Sequence, residues 1–170
     1  MIHLLGGHSK VKHIGYFAYG SNMDLNRLYQ RGIFPRRGLP AHVEGFALKF
    51  NKSNGRSLCG FANIVPDREG IVEGVVWVLP HASLKVLDKW EGVPTHYSRH
   101  LMTVGTEFGR IPCYTYLARQ TRDGLTPEGW YVDHLLAGER YLSEGYLAWL
   151  KRFKERRYAI SRLRDRFAKR

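Results

Sequence analysis

An aromatic run, Tyr16-Phe17-Ala18-Tyr19, passes without a spacer into Gly20-Ser21-Asn22 and then into a helical pattern. Ile14 to Tyr19 reads as a buried strand. The tight turn that follows delivers the chain to a helix N-terminus, with Ser21 or Asn22 as its cap and Asp24 in its first turn near the positive end of the dipole. A strand, a glycine turn and a helix start point backbone N–H groups at one open space, a common way to build an anion or oxyanion site. Any fold for this chain must place that turn at the rim of a sheet.

The remaining apolar runs are strand-like. Val43 to Phe50 alternates through Phe46, Leu48 and Phe50. Cys59 to Val65 and Ile71 to Leu79 read as two further strands joined by a turn over Pro66-Asp67-Arg68-Glu69-Gly70. Pro80 opens a helix carrying Leu84, Leu87 and Trp90, which ends at Gly92 with Pro94 beyond it. Tyr97 to Val104 and Ile111 to Ala118 are strands, and Pro127 to Ala137 and the residues from Ser143 onward are helical. Met23, Leu25 and Leu28 mark the first helix, which stops at Gly32. Five to seven strands with short helices predict an α+β fold around a small closed or partly closed sheet.

The chain has 170 residues and carries a formal charge of +12. That length fits one domain over 14–150, preceded by a leader at 1–13. The charge is concentrated at one end. Residues 151–170 hold ten Lys or Arg against Glu155 and Asp165. Leu150, Phe153, Ile160, Leu163 and Phe167 recur at helical spacing, so this tail reads as a basic amphipathic helix. It is either a solvated face docked on the body or a contact for nucleic acid or another polyanion. No run is long and apolar enough to cross a membrane as a helix, which makes the cytoplasm the expected location. Cys59 and Cys113 lie far apart in strand-like runs and are expected to be free buried thiols rather than a disulfide.

Glu91 is the best candidate acid or base. It closes an otherwise apolar helix beside Trp90, where desolvation and the negative dipole end would raise its pKa. An exposed helix-terminal glutamate is the alternative. Tyr97 and Tyr131 are hydroxyls that either hold a ligand or complete the core. His96 and His100 lie four apart in a strand with no third ligand in view, so no metal site is expected. Nucleophile-elbow, phosphate-loop and paired Cys-x-x-Cys motifs do not occur, and Ser21 reads as a binding hydroxyl rather than a nucleophile.

Tyr19-Gly20-Ser21-Asn22 after an aromatic strand, Gly74-Val75-Val76-Trp77, then Leu87-Asp88-x-x-Glu91-Gly92 and Tyr97 resemble the γ-glutamylcyclotransferase-like superfamily. The resemblance runs from about Tyr16 to Val104 and more weakly to Tyr131; the basic tail lies outside it. It implies a small mixed β-barrel with flanking helices and a pocket at one barrel end. It places Glu91 as general acid/base and Tyr19, Gly20, Ser21 and Asn22 as a γ-glutamyl-binding loop. Tyr97 and Tyr131 are the matching substrate-contacting tyrosines. The implied reaction releases 5-oxoproline from a γ-glutamyl amide and needs no metal or cofactor. Asn22 argues against the glutathione-specific branch, which tends to carry Leu there.

Two rival expectations stand beside it: a non-catalytic binding protein on the same fold, and a nucleic-acid-associated protein acting through 151–170. The leaving amine and the oligomeric state are not legible. Loops at 35–40, 51–56 and 105–109 would meet the leaving half. Their cations Arg36, Arg37, Lys52 and Arg56 would suit a carboxylate-bearing substrate, unless they are simply solvated.

Overall fold

The computed structural model describes residues 11–53, 55 and 58–155. Most of the expected leader, Arg56 and residues 156–170 of the basic tail, with Ile160, Leu163 and Phe167, lie outside them. Five strands, β1 (His13–Ala18), β2 (Arg37–Lys52), β3 (Phe61–Pro80), β4 (Tyr97–Thr106) and β5 (Gly109–Ala118), form a closed barrel in the order β1-β3-β2-β4-β5. All neighbours are antiparallel except the closing pair, where Gly15 and Tyr16 of β1 lie beside Cys113 and Tyr114 of β5 in parallel. That seam is tight. A Cβ on Gly15 would stand 2.6 Å from the Cys113 sulfur, so the strands meet here because Gly15 has no side chain. The expected small mixed barrel with flanking helices is the observed architecture.

The helices α1 (Leu25–Gln30), α2 (Ser83–Glu91) and α3 (Gly129–Leu136) sit around the barrel, and a further helix runs over 144–155. Residues 151–155 continue that last helix. Leu150 is fully buried and Phe153 packs against Phe50, so the start of the basic segment is docked on the body. Because strands and helices cover both faces of β1 and of the second half of β3, Tyr16, Phe17 and Ala18 are consecutively buried, as are Val75, Val76 and Trp77. Cys59 and Cys113 are both buried, and no disulfide joins them.

Three expectations need correction. The strands expected at Cys59–Val65 and Ile71–Leu79 are not hairpin partners; they are parts of one strand, β3. Both halves pair with β2, and the register slips between Glu44↔Ile71 and Phe46↔Pro66. The Pro66–Gly70 segment is therefore an exposed bulge facing Gly45, whose φ is +79°, and the chain does not reverse direction there. Second, the turn-rich loop expected at Pro35–Pro40 ends at Arg36. Leu39, Ala41 and Val43 alternate inward from Arg37 onward, and Pro40 occupies an outward, edge-like position that tolerates its missing N–H. Likewise β2 runs on through Lys52, so Asn51 and Lys52 belong to a strand rather than a loop.

Third, neither Ser21 nor Asn22 caps α1. Ser21–Met23 form a short 3-10 turn, and Asp24 caps α1 by accepting the N–H groups of Asn26 and Arg27. Asp24 also takes the Nδ1 proton of His134 on α3 at 2.7 Å, which ties α1 to α3. An Asp24→Ala protein is expected to lose about 1–2 kcal/mol of stability through the missing cap. Urea unfolding would measure this; an unchanged midpoint would remove Asp24 from that role.

Candidate active site

At one end of the barrel lies a cavity of about 380 Å³ lined from β1, the turn after it, α1, the end of β2, α2, β4, β5 and α3. Every residue singled out from sequence faces it: Tyr19, Gly20, Ser21, Asn22, Glu91, Tyr97 and Tyr131. The turn after β1 can come this close because Gly20 is bare. A Cβ there would sit 3.0 Å from the Ala62 Cβ and 3.2 Å from the Tyr131 hydroxyl. Among the described residues no backbone carbonyl takes the N–H of Gly20, Ser21 or Asn22.

Glu91 is the last residue of α2, and Gly92 stops the helix at φ +62°, a left-handed C-cap that glycine suits. The Glu91 side chain is 16% exposed. Its Oε1 accepts from Asn22 Nδ2 at 2.9 Å and from Arg31 Nη1 at 3.2 Å. Burial raises its pKa, and the Arg31 charge and the hydrogen bonds from Asn22 and Arg31 only partly offset that. The raised direction expected from sequence is the one found, with burial as its largest cause. Trp90 is 53% exposed, and its ring lies under the Arg31 guanidinium, 5.0 Å from centroid to Cζ.

Asn22 is 4% exposed and its side chain is committed within the protein. Its Nδ2 donates to the Tyr16 hydroxyl at 2.7 Å as well as to Glu91, and its Oδ1 accepts from Arg31 at 2.8 Å. Its carbonyl accepts the Trp77 indole N–H at 2.9 Å. Of Asn22, only the backbone N–H is left for a ligand; the amide orients the acid.

The tyrosines form a second network. Tyr19 donates to the Tyr116 carbonyl, Tyr97 donates to the Ala62 carbonyl at 3.1 Å, and Tyr131 accepts the Ala62 N–H at 3.0 Å. Burial pushes the Tyr131 hydroxyl up to about 12, against the hydrogen bonds it receives from Ala62 and Ser21. Tyr16, Tyr19 and Tyr97 are also held protonated by burial. Each is a neutral donor at physiological pH.

Sequence reasoning missed Arg27 and Arg31, which α1 places on the cavity one helical turn apart. That spacing, in the helix directly after the Gly-Ser-Asn turn, was the available signal. Arg27 Nη1 stands 3.2 Å from His134 Nε2, and its buried Nε has no acceptor among the described residues. Of the loop cations among the described residues, only Lys52 lines the cavity; Arg36 and Arg37 are exposed, and Arg37 lies over Phe108. The turn between β4 and β5 is not part of the lining either. His96 faces the cavity, whereas His100 contacts Ser98. Among the described residues no group of three or more His, Cys, Asp or Glu is placed to hold a metal ion. No helix among them is long and apolar enough to cross a membrane.

The AIG2-like family matches residues 71–150. A human protein named γ-glutamylcyclotransferase is 34% identical over 108 residues, covering 60% of this chain and 57% of that protein. The crystal structure of YkqA from Bacillus subtilis superposes with a TM-score of 0.77 at 29% identity, over 85% of this chain and 55% of that one. The human protein loc79017 gives a TM-score of 0.71 at 30% identity, over 82% of this chain and 86% of that one. The chain thus spans a little over half the length of the first two of these relatives. Together these matches in sequence and fold place the chain in the γ-glutamylcyclotransferase-like superfamily.

Proposed function

We propose that this protein is a γ-glutamyl cyclotransferase, which closes the α-amine of a γ-glutamyl amide onto its own γ-carbonyl carbon. The products are 5-oxoproline and a free amine. The observation that carries this reading is Glu91: a buried carboxyl with a raised pKa, fixed by two donors, in the same cavity as the Gly20–Asn22 turn.

The nucleophile and the electrophile belong to one substrate, so the protein's first task is to fold that substrate into attack geometry. Glu91 takes a proton from the α-ammonium, which frees the nitrogen lone pair. The new C–N bond forms, and the carbonyl oxygen becomes an oxyanion. Backbone N–H groups of Gly20, Ser21 and Asn22 are suited to that oxyanion or to the substrate α-carboxylate. The intermediate then collapses, the old C–N bond breaks, and Glu91 returns its proton to the leaving nitrogen. The α-ammonium sheds two protons in becoming the lactam N–H, and the released amine, as an ammonium ion, has gained two. Tyr131, as a neutral donor, and the ring of Tyr97 would hold the substrate in place. One carboxyl serves as both base and acid, which a pKa raised toward neutrality favours.

Glu91→Gln keeps the shape of the site and removes the proton carrier. Release of 5-oxoproline from γ-glutamyl amino acids and amines is expected to fall at least about a hundredfold. The same variant has a stability signature. The folded pKa of Glu91 lies above its ordinary value, so its favourable contribution is complete below that value and disappears as pH rises through the folded pKa. Once ionised in the folded protein, the carboxylate carries a cost that glutamine does not. Glu91→Gln should therefore melt no lower than the parent at pH 7; a marked drop in melting temperature would contradict the assigned direction.

Arg31 opposes the burial effect on Glu91. Arg31→Met should push the Glu91 pKa further up, moving the acidic limb of the rate–pH profile to higher pH by about one unit, the scale of a nearby opposite charge. A profile whose limb stays in place would remove Arg31 as the group that tunes the acid.

A further inference from the structure

Lys52 is 4% exposed, yet it is a cation on the wall of a ligand-sized cavity. It enters from the last residue of β2. Its Nζ donates to the neighbouring Ser53 carbonyl and lies 5.8 Å from the centroid of the Tyr97 ring. No carboxylate among the described residues forms an ion pair with it. Burial alone lowers its pKa, and Glu91 does not counter that effect. The other cavity arginines are differently placed. Arg31 is paired with Glu91, and Arg27 is engaged with His134. An ammonium has three donors, and among the described residues one of them is used, in the hydrogen bond to the Ser53 carbonyl. A buried charge without an opposite partner is costly, and such sites persist where a ligand supplies the partner.

Building on the cyclotransferase reading, we infer that Lys52 is a specificity-determining residue: its ammonium binds a carboxylate carried by the leaving half of the substrate. Two observations assign it to the leaving half. The Gly20–Asn22 turn, Arg27 and Arg31 all belong to the segment around Glu91, where the γ-glutamyl portion must lie for its amine to meet the acid. Lys52 also rests on Tyr97, a ring whose hydroxyl is already tied to Ala62, leaving its face as an apolar wall for the carbons that lead to the carboxylate. Glu91, Tyr97 and Lys52 line the same cavity, with the cation resting on the Tyr97 ring.

The test uses a matched pair, γ-glutamyl-β-alanine and γ-glutamyl-propylamine, which differ in a terminal carboxylate. Calorimetric binding is measured on the full chain carrying Glu91→Gln, so that the compounds stay intact, with and without Lys52→Met. Lys52→Gln is the polar alternative should a buried methionine disturb folding, and thermal unfolding of each variant checks that it is native. With Lys52 present, the acid should bind about ten to a hundredfold more tightly, the range that a hydrogen bond to a charged group supplies. In the folded Lys52 variants the two compounds should bind within about twofold of each other. Equal binding with Lys52 present, a preference that survives its removal, or no binding of either compound overturns the inference. Release of 5-oxoproline by the unmodified protein is read separately. A Lys52-dependent preference without release would keep the lysine as the carboxylate contact and discard the reaction.

Discussion

The site depends on one buried amide. Asn22 receives the Trp77 indole at its carbonyl, gives its Nδ2 protons to Tyr16 and Glu91, and takes an Arg31 proton at Oδ1. Those partners come from β1, β3, the end of α1 and α2, so a single residue, through its side chain and its backbone carbonyl, fixes the relative positions of four elements. Its own polar atoms leave no room for an alternative arrangement. In a low-dielectric setting such a network is rigid when every member is satisfied and expensive when one is missing. The orientation of the Glu91 carboxyl is inherited from this arrangement, and so is the placement of the turn whose N–H groups face the cavity.

Electrostatically, the cavity holds one acid among several bases. Arg27, Arg31, Lys52 and Lys89 line it with Glu91 as the sole carboxylate in the lining. Those cations would ordinarily pull a glutamate far down. Burial wins nonetheless, so the site combines a carboxyl able to retain a proton with a surround that attracts anionic ligands.

Much of this was legible in the sequence, for identifiable reasons. The Tyr16–Asn22 turn and the α2 terminus at Glu91-Gly92 are local features, written in contiguous residues, and both stand where expected. The strands at Tyr97 and Ile111 were equally plain because turn residues bracket alternating apolar runs. The Pro66–Gly70 segment misled because its residues carry turn chemistry, and the residues themselves do not distinguish a hairpin from a bulge; the pairing of both halves with β2 decides that. Asp24 was recognised as a favourable first-turn charge but not as the cap, because three possible capping residues follow one another and the 3-10 turn decides which is used. Arg31 was obscured for a different reason. Its partner, Glu91, is 60 positions away, and only the closed barrel brings them together.

The parallel seam between β1 and β5 has a consequence for how the protein comes into being. Gly15 and Cys113 are almost a hundred positions apart, and the loop between them must be closed against its own entropy before any contact across the seam is gained. The antiparallel pairs β2–β3 and β4–β5 are more local and can form ahead of it. Tyr19 reaches the Tyr116 carbonyl only across that last junction, and the cavity wall supplied by Thr115 and Tyr116 does not exist until it closes. During synthesis on a ribosome, the chain therefore acquires its binding cavity only after β5 has emerged, so a nascent fragment that ends before Cys113 has strands and an acid but no place to hold a ligand.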